Sequence, residues 1–349
     1  MTRHLTGAAV LLALSWLAVP AADAAEPGAM APLAPLRARL AELARKDTRL
    51  QSIGWKLTRA NAEFCTAAPL ATGLLLQDAM NFREGDKVRS ALGHDSPIAV
   101  GAVAAGSPAE LAGLAIGDEI VMLGGTAMAA LPTVAPGNYM RLSELQDRVD
   151  MALSRTGKIV LTIFHAPGFH APGLHAPGDP PQRIELRGEP ACPSRFELSS
   201  AIEVGAAEGT RVIIHPDALR EASEPGLAVI VAHELAHNLL RHRVRLNRAG
   251  RTPAHVRATE READRLAVWL LANAGYEPEN TAAFMRRFGR HTDPGIFGDR
   301  THDNWKVRAG TIDAEIAALR AAPRDAGGKW DWRERFSAAA LAHTFEAAP

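Results

Sequence analysis

The sequence predicts an α+β fold, and three observations carry that prediction. Pro225 to Arg243 is dense in Leu, Val, Ile and Ala and has no glycine or proline after Gly226, the pattern of a buried helix. TEREADRLAVWLLANAGYEP, which begins at Thr259, predicts a second helix. From about Val88 to Phe164, by contrast, short apolar runs alternate with glycine-bearing turns, which predicts a compact β/α module.

Taken in order, the chain opens with Arg3 and His4 before an apolar run from Leu5 to about Pro20, and Ala22-Asp23-Ala24 fits a small-x-small cleavage site. Residues 1–24 are therefore expected to be a secretory signal peptide, with the mature chain starting near Ala25. The run is shorter than the roughly 20 apolar residues a spanning helix needs. The expectation is a periplasmic or otherwise exported protein, soluble after cleavage, with no transmembrane segment in the mature chain. Residues 25–87 are expected to supply a helix and strands belonging to the same core as the later helices. Leu33, Leu36, Leu40 and Leu43 mark an amphipathic helix over Pro32 to Leu50, and β-like stretches follow at Ser52 to Phe64 and Gly73 to Gln77.

Residues 88–164 form the β/α module. It holds a strand at Ile98 to Val103, a turn and helix in GSPAELAGL, a Gly117-Asp118 turn and a strand in EIVMLGG. Leu142, Leu145, Val149 and Leu153 then mark one face of a helix over Met140 to Leu153, and KIVLTIF closes the module. His-Ala-Pro-Gly follows three times, with His165, His170 and His175. A proline in every five residues blocks regular pairing, so residues 165–181 are expected to be a linker and not a metal site. Residues 182–322 carry the chemical motifs, and 323–349 form a C-terminal tail.

At 349 residues with 47% hydrophobic content the chain can bury two cores. Lysine plus arginine equals aspartate plus glutamate at 39 each, so no bulk field draws nucleic acid. The two cysteines, Cys65 and Cys192, flank the module and either pair or lie buried as separate thiols.

His233-Glu234-Leu235-Ala236-His237 lies inside the first buried helix. Residues four apart share a face, so both imidazoles can reach one zinc ion, while Glu234 lies beside them and can act on a water as general base. Leu240 and Arg243 stand where a metzincin would place glycine and histidine, which excludes that class. His242 and His255 are expected to be polar surface residues, His255 in a loop. On the second helix Glu260 can complete a His-His-Glu site. Asp264, one turn on, can accept a hydrogen bond from a ligand histidine, and Glu262 points elsewhere.

Two resemblances accompany these readings. Gly106-Ser107-Pro108-Ala109, Ala112-Gly113-Leu114 and Gly117-Asp118-x-Ile120 resemble the PDZ domains of exported bacterial proteases, with TAMAALPTVAPGNY as an insertion. That implies a groove beside the Met140 to Leu153 helix for an extended peptide, with a carboxylate loop near Ala91 to Ser96. His233, Glu234, His237, Glu-x-x-Ala-Asp at Glu260 to Asp264 and Ala274-Gly275-Tyr276-Glu277-Pro278 resemble the gluzincin metallopeptidases of the CAAX prenyl endopeptidase, HtpX and BepA type. The resemblance implies a zincin-type core over about Ile184 to Leu319, with one zinc held by His233, His237 and Glu260 and with Glu234 as general base. It also implies that His302 lies near the metal as a catalytic residue and that Arg308 supports the site, although Asp303 replaces the family's proline. The expected activity is endopeptidase cleavage of unfolded or mislocalised envelope polypeptides, with the PDZ-like module binding substrate or regulatory peptides. The competing expectation is a protease-like chaperone or binding protein whose zinc site is latent or structural.

Overall fold

The computed structural model describes residues 33–166, 180–202, 204–292 and 303–346. The expected signal peptide at 1–24, His302 and most of the repeat, including His170 and His175, lie outside these residues. The fold is mixed α+β with small sheets.

Helix α1 (Leu33–Ala60) is followed by strands β1 (Leu70–Ala71) and β2 (Leu74–Asp78), then α2 (Gly85–Leu92) and β3 (Ile98–Val103). Next come α3 (Pro108–Leu111), β4 (Glu119–Leu123), β5 (Thr126–Ala127), α4 (Met140–Thr156) and β6 (Lys158–Phe164). After the repeat lie β7 (Gln182–Arg187), β8 (Glu189–Pro190), β9 (Arg195–Leu198), β10 (Gly205–Ala207) and β11 (Arg211–Ile214). The remaining helices are α5 (Pro216–Glu221), α6 (Glu224–Leu239), α7 (His242–Ala249), α8 (Pro253–Asn273), α9 (Glu279–Thr292), α10 (Trp305–Ala321) and α11 (Ala338–Glu346).

One sheet runs β2-β3-β4-β6-β7 with β5 on β4, every pairing antiparallel. It thus takes in β2 and β7, outside the 88–164 span expected for the module. Its core joins Ile98, Ile120, Leu161 and Leu186 to Leu145 and Leu153 of α4. A second sheet orders β10-β11-β9, with β11 parallel to β9 and antiparallel to β10, so β10 is an edge. β1 and β8 pair by themselves.

The larger core gathers α1, α6, α8 and α10 over the second sheet, through Leu57, Ile214, Leu227, Leu235, Leu270 and Ile312. The β-like reading of Ser52 to Phe64 is corrected here, because α1 continues to Ala60. Ile53, Trp55 and Leu57 mimic a period of two because the helix is buried on two sides. Leu50, Ile53 and Leu57 face the larger core, while Trp55 packs with Ala104 and Ala191. The C-terminal tail also joins this core through Trp332, Phe336 and Leu341, and Trp332 Nε1 donates to Asn61 Oδ1 at 3.1 Å.

Cys65 and Cys192 form a disulfide with Cα atoms 5.6 Å apart. Bridging a sequence separation of 127 removes loop entropy worth roughly 5 kcal/mol in the chain-entropy model. The start of the expected linker is fixed: Asp118 accepts from the Ala166 amide at 3.0 Å and lies 3.3 Å from His165 Nδ1, and His165 Nε2 meets Gln182 Oε1 at 2.5 Å. Among the described residues no helix is long and apolar enough to cross a membrane.

Candidate metal centre

Two helices build the site, and each starts from a local signal. Ser223 Oγ accepts from the Gly226 amide to cap α6, with Pro225 in the first turn. Thr252 caps α8 in the same way by accepting from the His255 amide, with Pro253 following. His255 therefore lies in the first turn of α8, not in a loop, and its Nδ1 meets the Gly250 carbonyl at 2.8 Å. α6 stops at Leu239, short of the expected Arg243, because Arg241 adopts a left-handed conformation at φ 55° and turns the chain into α7.

Packing α6 on α8 brings His233, His237 and Glu260 together, with one ligand atom from each within 4.8 Å of the others. His233 Nε2 lies 3.2 Å from Glu260 Oε2, His237 Nε2 lies 3.3 Å from Glu260 Oε1, and the two Nε2 atoms are 3.1 Å apart. The side chains are 13–15% exposed, so the cluster is reachable from solvent.

The far side of each ring fixes its tautomer. His233 Nδ1 donates to Asp264 Oδ1 at 3.0 Å, and Asp264 takes two further bonds from Arg308, Nε and Nη2, each 2.7 Å. Burial opposes the Asp264 charge, but Arg308 and His233 outweigh it and hold the carboxyl below its usual range. His237 Nδ1 meets His242 Nδ1 at 2.9 Å, and His242 Nε2 donates to Glu262 Oε2 at 3.0 Å. Burial lowers the His242 pKa, so the ring is neutral. With its Nε2–H hydrogen-bonded to Glu262, its Nδ1 is left to accept from His237. Arg245 completes the chain with Nη2 at 3.1 Å from Glu262 Oε1.

Both Nε2 atoms consequently point into the same space beside a carboxylate, an arrangement that suits a cation. Burial opposes charge on His233, but Asp264 and Glu260 overcome it and raise its pKa, while burial, against the pull of Glu260 and with His233 adding to it, lowers that of His237.

His242 and Glu262 are the residues that sequence reasoning missed. His242 is 1% exposed and not a surface residue, and Glu262 does point away from Glu260, but onto His242. Glu234 lines the same cleft as the cluster, a space of about 800 Å³ bounded by β10, α6, α8, α9 and the start of α10. Asn238 holds the turn between β10 and β11: its Oδ1 accepts from the Gly209 amide at 2.7 Å and its Nδ2 donates to the Arg211 carbonyl at 2.9 Å. Asp303, where the resemblance led to an expected proline, pairs with Arg261 at 2.9 Å, and Asn304 caps α10, which carries Arg308.

A second groove of about 440 Å³ lies between β2 and α4. Its walls include Gly73, Leu75, Val149 and Arg195, and no residue of the expected carboxylate loop at Ala91 to Ser96. Arg195 ties α4 to β9 through Asp147 at 2.8 Å and Asp150 at 2.5 Å.

No protein-family model matches the chain and no curated protein matches it, which leaves the geometry of the site as the ground for its chemistry.

Proposed function

We propose that the protein is an exported zinc-dependent endopeptidase of the gluzincin kind, with a PDZ-like module and polypeptide substrates. One observation carries the reading: two imidazoles and a carboxylate converge in the wall of a cleft that also holds Glu234 and a sheet edge. The donor set of two nitrogens and one carboxylate oxygen is that of a catalytic zinc site, which keeps a position open. His233, His237 and Glu260 would hold the ion. When bound, zinc lowers the pKa of a water toward about 7 and polarises a carbonyl.

The chain's own residues supply the rest. Asp264 and His242 hold the rings in the ligating tautomer. The Glu234 carboxylate takes a proton from the attacking water and later returns it to the leaving amine. The edge of β10 offers backbone groups to an extended substrate, which aligns it along the cleft. The disulfide suits an oxidising compartment, in keeping with export.

The test compares cleavage of an unfolded protein by the zinc-loaded chain and by Glu234→Gln at equal zinc content. Loss of the general base should lower the rate by a factor of roughly 10² to 10⁴ with the metal retained. If the parent chain binds zinc and cuts nothing, the site is structural and the groove between β2 and α4 becomes the route to function.

A further inference from the structure

The contacts behind His237 continue past Arg245 to the far end of the chain. The Arg245 guanidinium meets Glu262 as a fork, Nη1 on Oε2 and Nη2 on Oε1, and so fixes the plane of a carboxylate whose Oε2 also accepts from His242. His242 and Arg245 stand three apart on α7, which lets both reach the same buried group. Arg245 is in turn held by α11. Its Nη2 donates to the Leu341 carbonyl at 3.4 Å, and its Cζ lies 4.7 Å from the centroid of the Phe345 ring, over which it sits. The same ring stacks on His255 in the first turn of α8, with 4.6 Å between centroids and 16° between planes. Phe345 thus joins α7 to the start of α8. α11 has its own seat: Ser337 Oγ accepts from the Ala340 amide at 3.2 Å, and Leu341 is buried in the larger core.

From this geometry we infer that α11 sets the zinc affinity of the His233-His237-Glu260 cluster, with Phe345 and Arg245 as positioning residues that aim the Glu262 carboxylate and, through it, the His242 and His237 rings. Neither residue touches the cluster. The inference rests on the zinc part of the proposed function and deepens it, and it does not require that the protein cleaves anything. A buried carboxylate is aimed by the donors around it, and a planar fork fixes its rotation where a point charge such as an ammonium would leave it free to turn. Partners behind a ligand ring act on metal affinity by holding the ring's orientation. The Phe345 ring, set against both Arg245 and His255, is what keeps the fork in place.

The experiment measures the zinc Kd by chelator competition, and Tm without zinc, for the full chain and its Phe345→Leu, Phe345→Tyr and Arg245→Lys forms. Leucine keeps apolar contact without a ring face, tyrosine keeps the face, and lysine keeps the charge without the fork. Phe336→Leu is the control, because Phe336 anchors the same tail on Trp269 and Arg265 instead. The expected result is zinc binding weakened roughly tenfold in Arg245→Lys and about two- to fivefold in Phe345→Leu. Phe345→Tyr should bind as the parent does, and Phe336→Leu should lower Tm with zinc affinity unchanged. In a His242→Ala background, Phe345→Leu should weaken zinc no further, since the two act in series. Parent-like Kd values in both Phe345→Leu and Arg245→Lys, or an equal loss from Phe345→Leu with and without His242, would overturn the inference and leave α11 as an anchor of the fold. A parent chain that binds no zinc would overturn the metal reading with it. The expected shifts in a chain that binds zinc and cuts no unfolded protein would uphold the inference and overturn the endopeptidase reading alone.

Discussion

Gly205 offers a lever on Glu234 that touches neither the ligands nor the core. It begins β10 opposite Ile214, outside the group of positive-φ glycines, so alanine meets no backbone strain. An added Cβ would stand 2.8 Å from Glu234 Oε1, 3.1 Å from Cγ and 3.2 Å from Cδ, where ordinary contact begins at 3.4 Å. The carboxylate is the far end of a flexible side chain, so it retreats and the strand stays. A retreat of this size displaces the carboxylate proposed as general base by roughly half an ångström or more. Misplacements near 1 Å cost about 10²-fold, so Gly205→Ala should lower kcat/KM by roughly 10- to 100-fold, about 1.4 to 2.7 kcal/mol. Stability should hold or rise by about 0.4–1 kcal/mol, because alanine has less unfolded-state freedom to lose. The assay is cleavage of an unfolded protein at matched zinc content, with Tm measured on the same samples. Parent-like kcat/KM with unchanged Tm would refute the placement of Glu234 against β10.

Removing the imidazole behind His237, by His242→Ala, should weaken zinc affinity by roughly 10- to 100-fold in chelator competition, and Glu262→Gln should do so in the same direction. Parent-like affinity in both would show that the tautomer of His237 is set elsewhere. Burial first, and then the Glu197 charge, raise the Asp47 carboxyl to about 7, above its unfolded value of 3.8. The folded state therefore binds the extra proton between about pH 4 and pH 7, and stability falls as pH rises through that window, with a ceiling of about 4 kcal/mol that solvent reaching the half-buried group reduces. Asp47→Asn should flatten Tm between pH 5 and pH 8, and an unaltered slope would refute the assignment.

Much of the architecture was legible because its signals are periodic and local. Ile98 to Val103 and Lys158 to Phe164 form strands with the expected bounds, since an apolar run between turn residues admits few other outcomes. Ser52 to Phe64 was misread because burial on two faces of α1 erases the helical stripe that periodicity detects. That β2 and β7 extend the module's sheet is a matter of long-range pairing, on which composition is silent. Trp330 and Trp332 gave no hint of a site, and they hold the tail to the core through Asn273 and Asn61.

The His233-His237-Glu260 cluster was legible for the same reason, because spacing of four on two helices fixes a shared face before any tertiary contact is known. Its support divides by geometry. Asp264 sits one turn from Glu260, so its reach to His233 follows from helix spacing. His242 does not follow, since five residues after His237 on a straight helix it would point away. The left-handed Arg241 breaks the helix and swings His242 back, and no glycine or proline marks the turn. A non-glycine residue at φ 55° is held against its preference, at a cost of roughly 1–3 kcal/mol. The surrounding structure must supply that, and the bonds from His242 to His237, from His242 to Glu262 and from Arg245 to Glu262 are the contacts that the turn makes possible. The strain is therefore tied to the orientation of the His237 ring, which is why it persists at this one position.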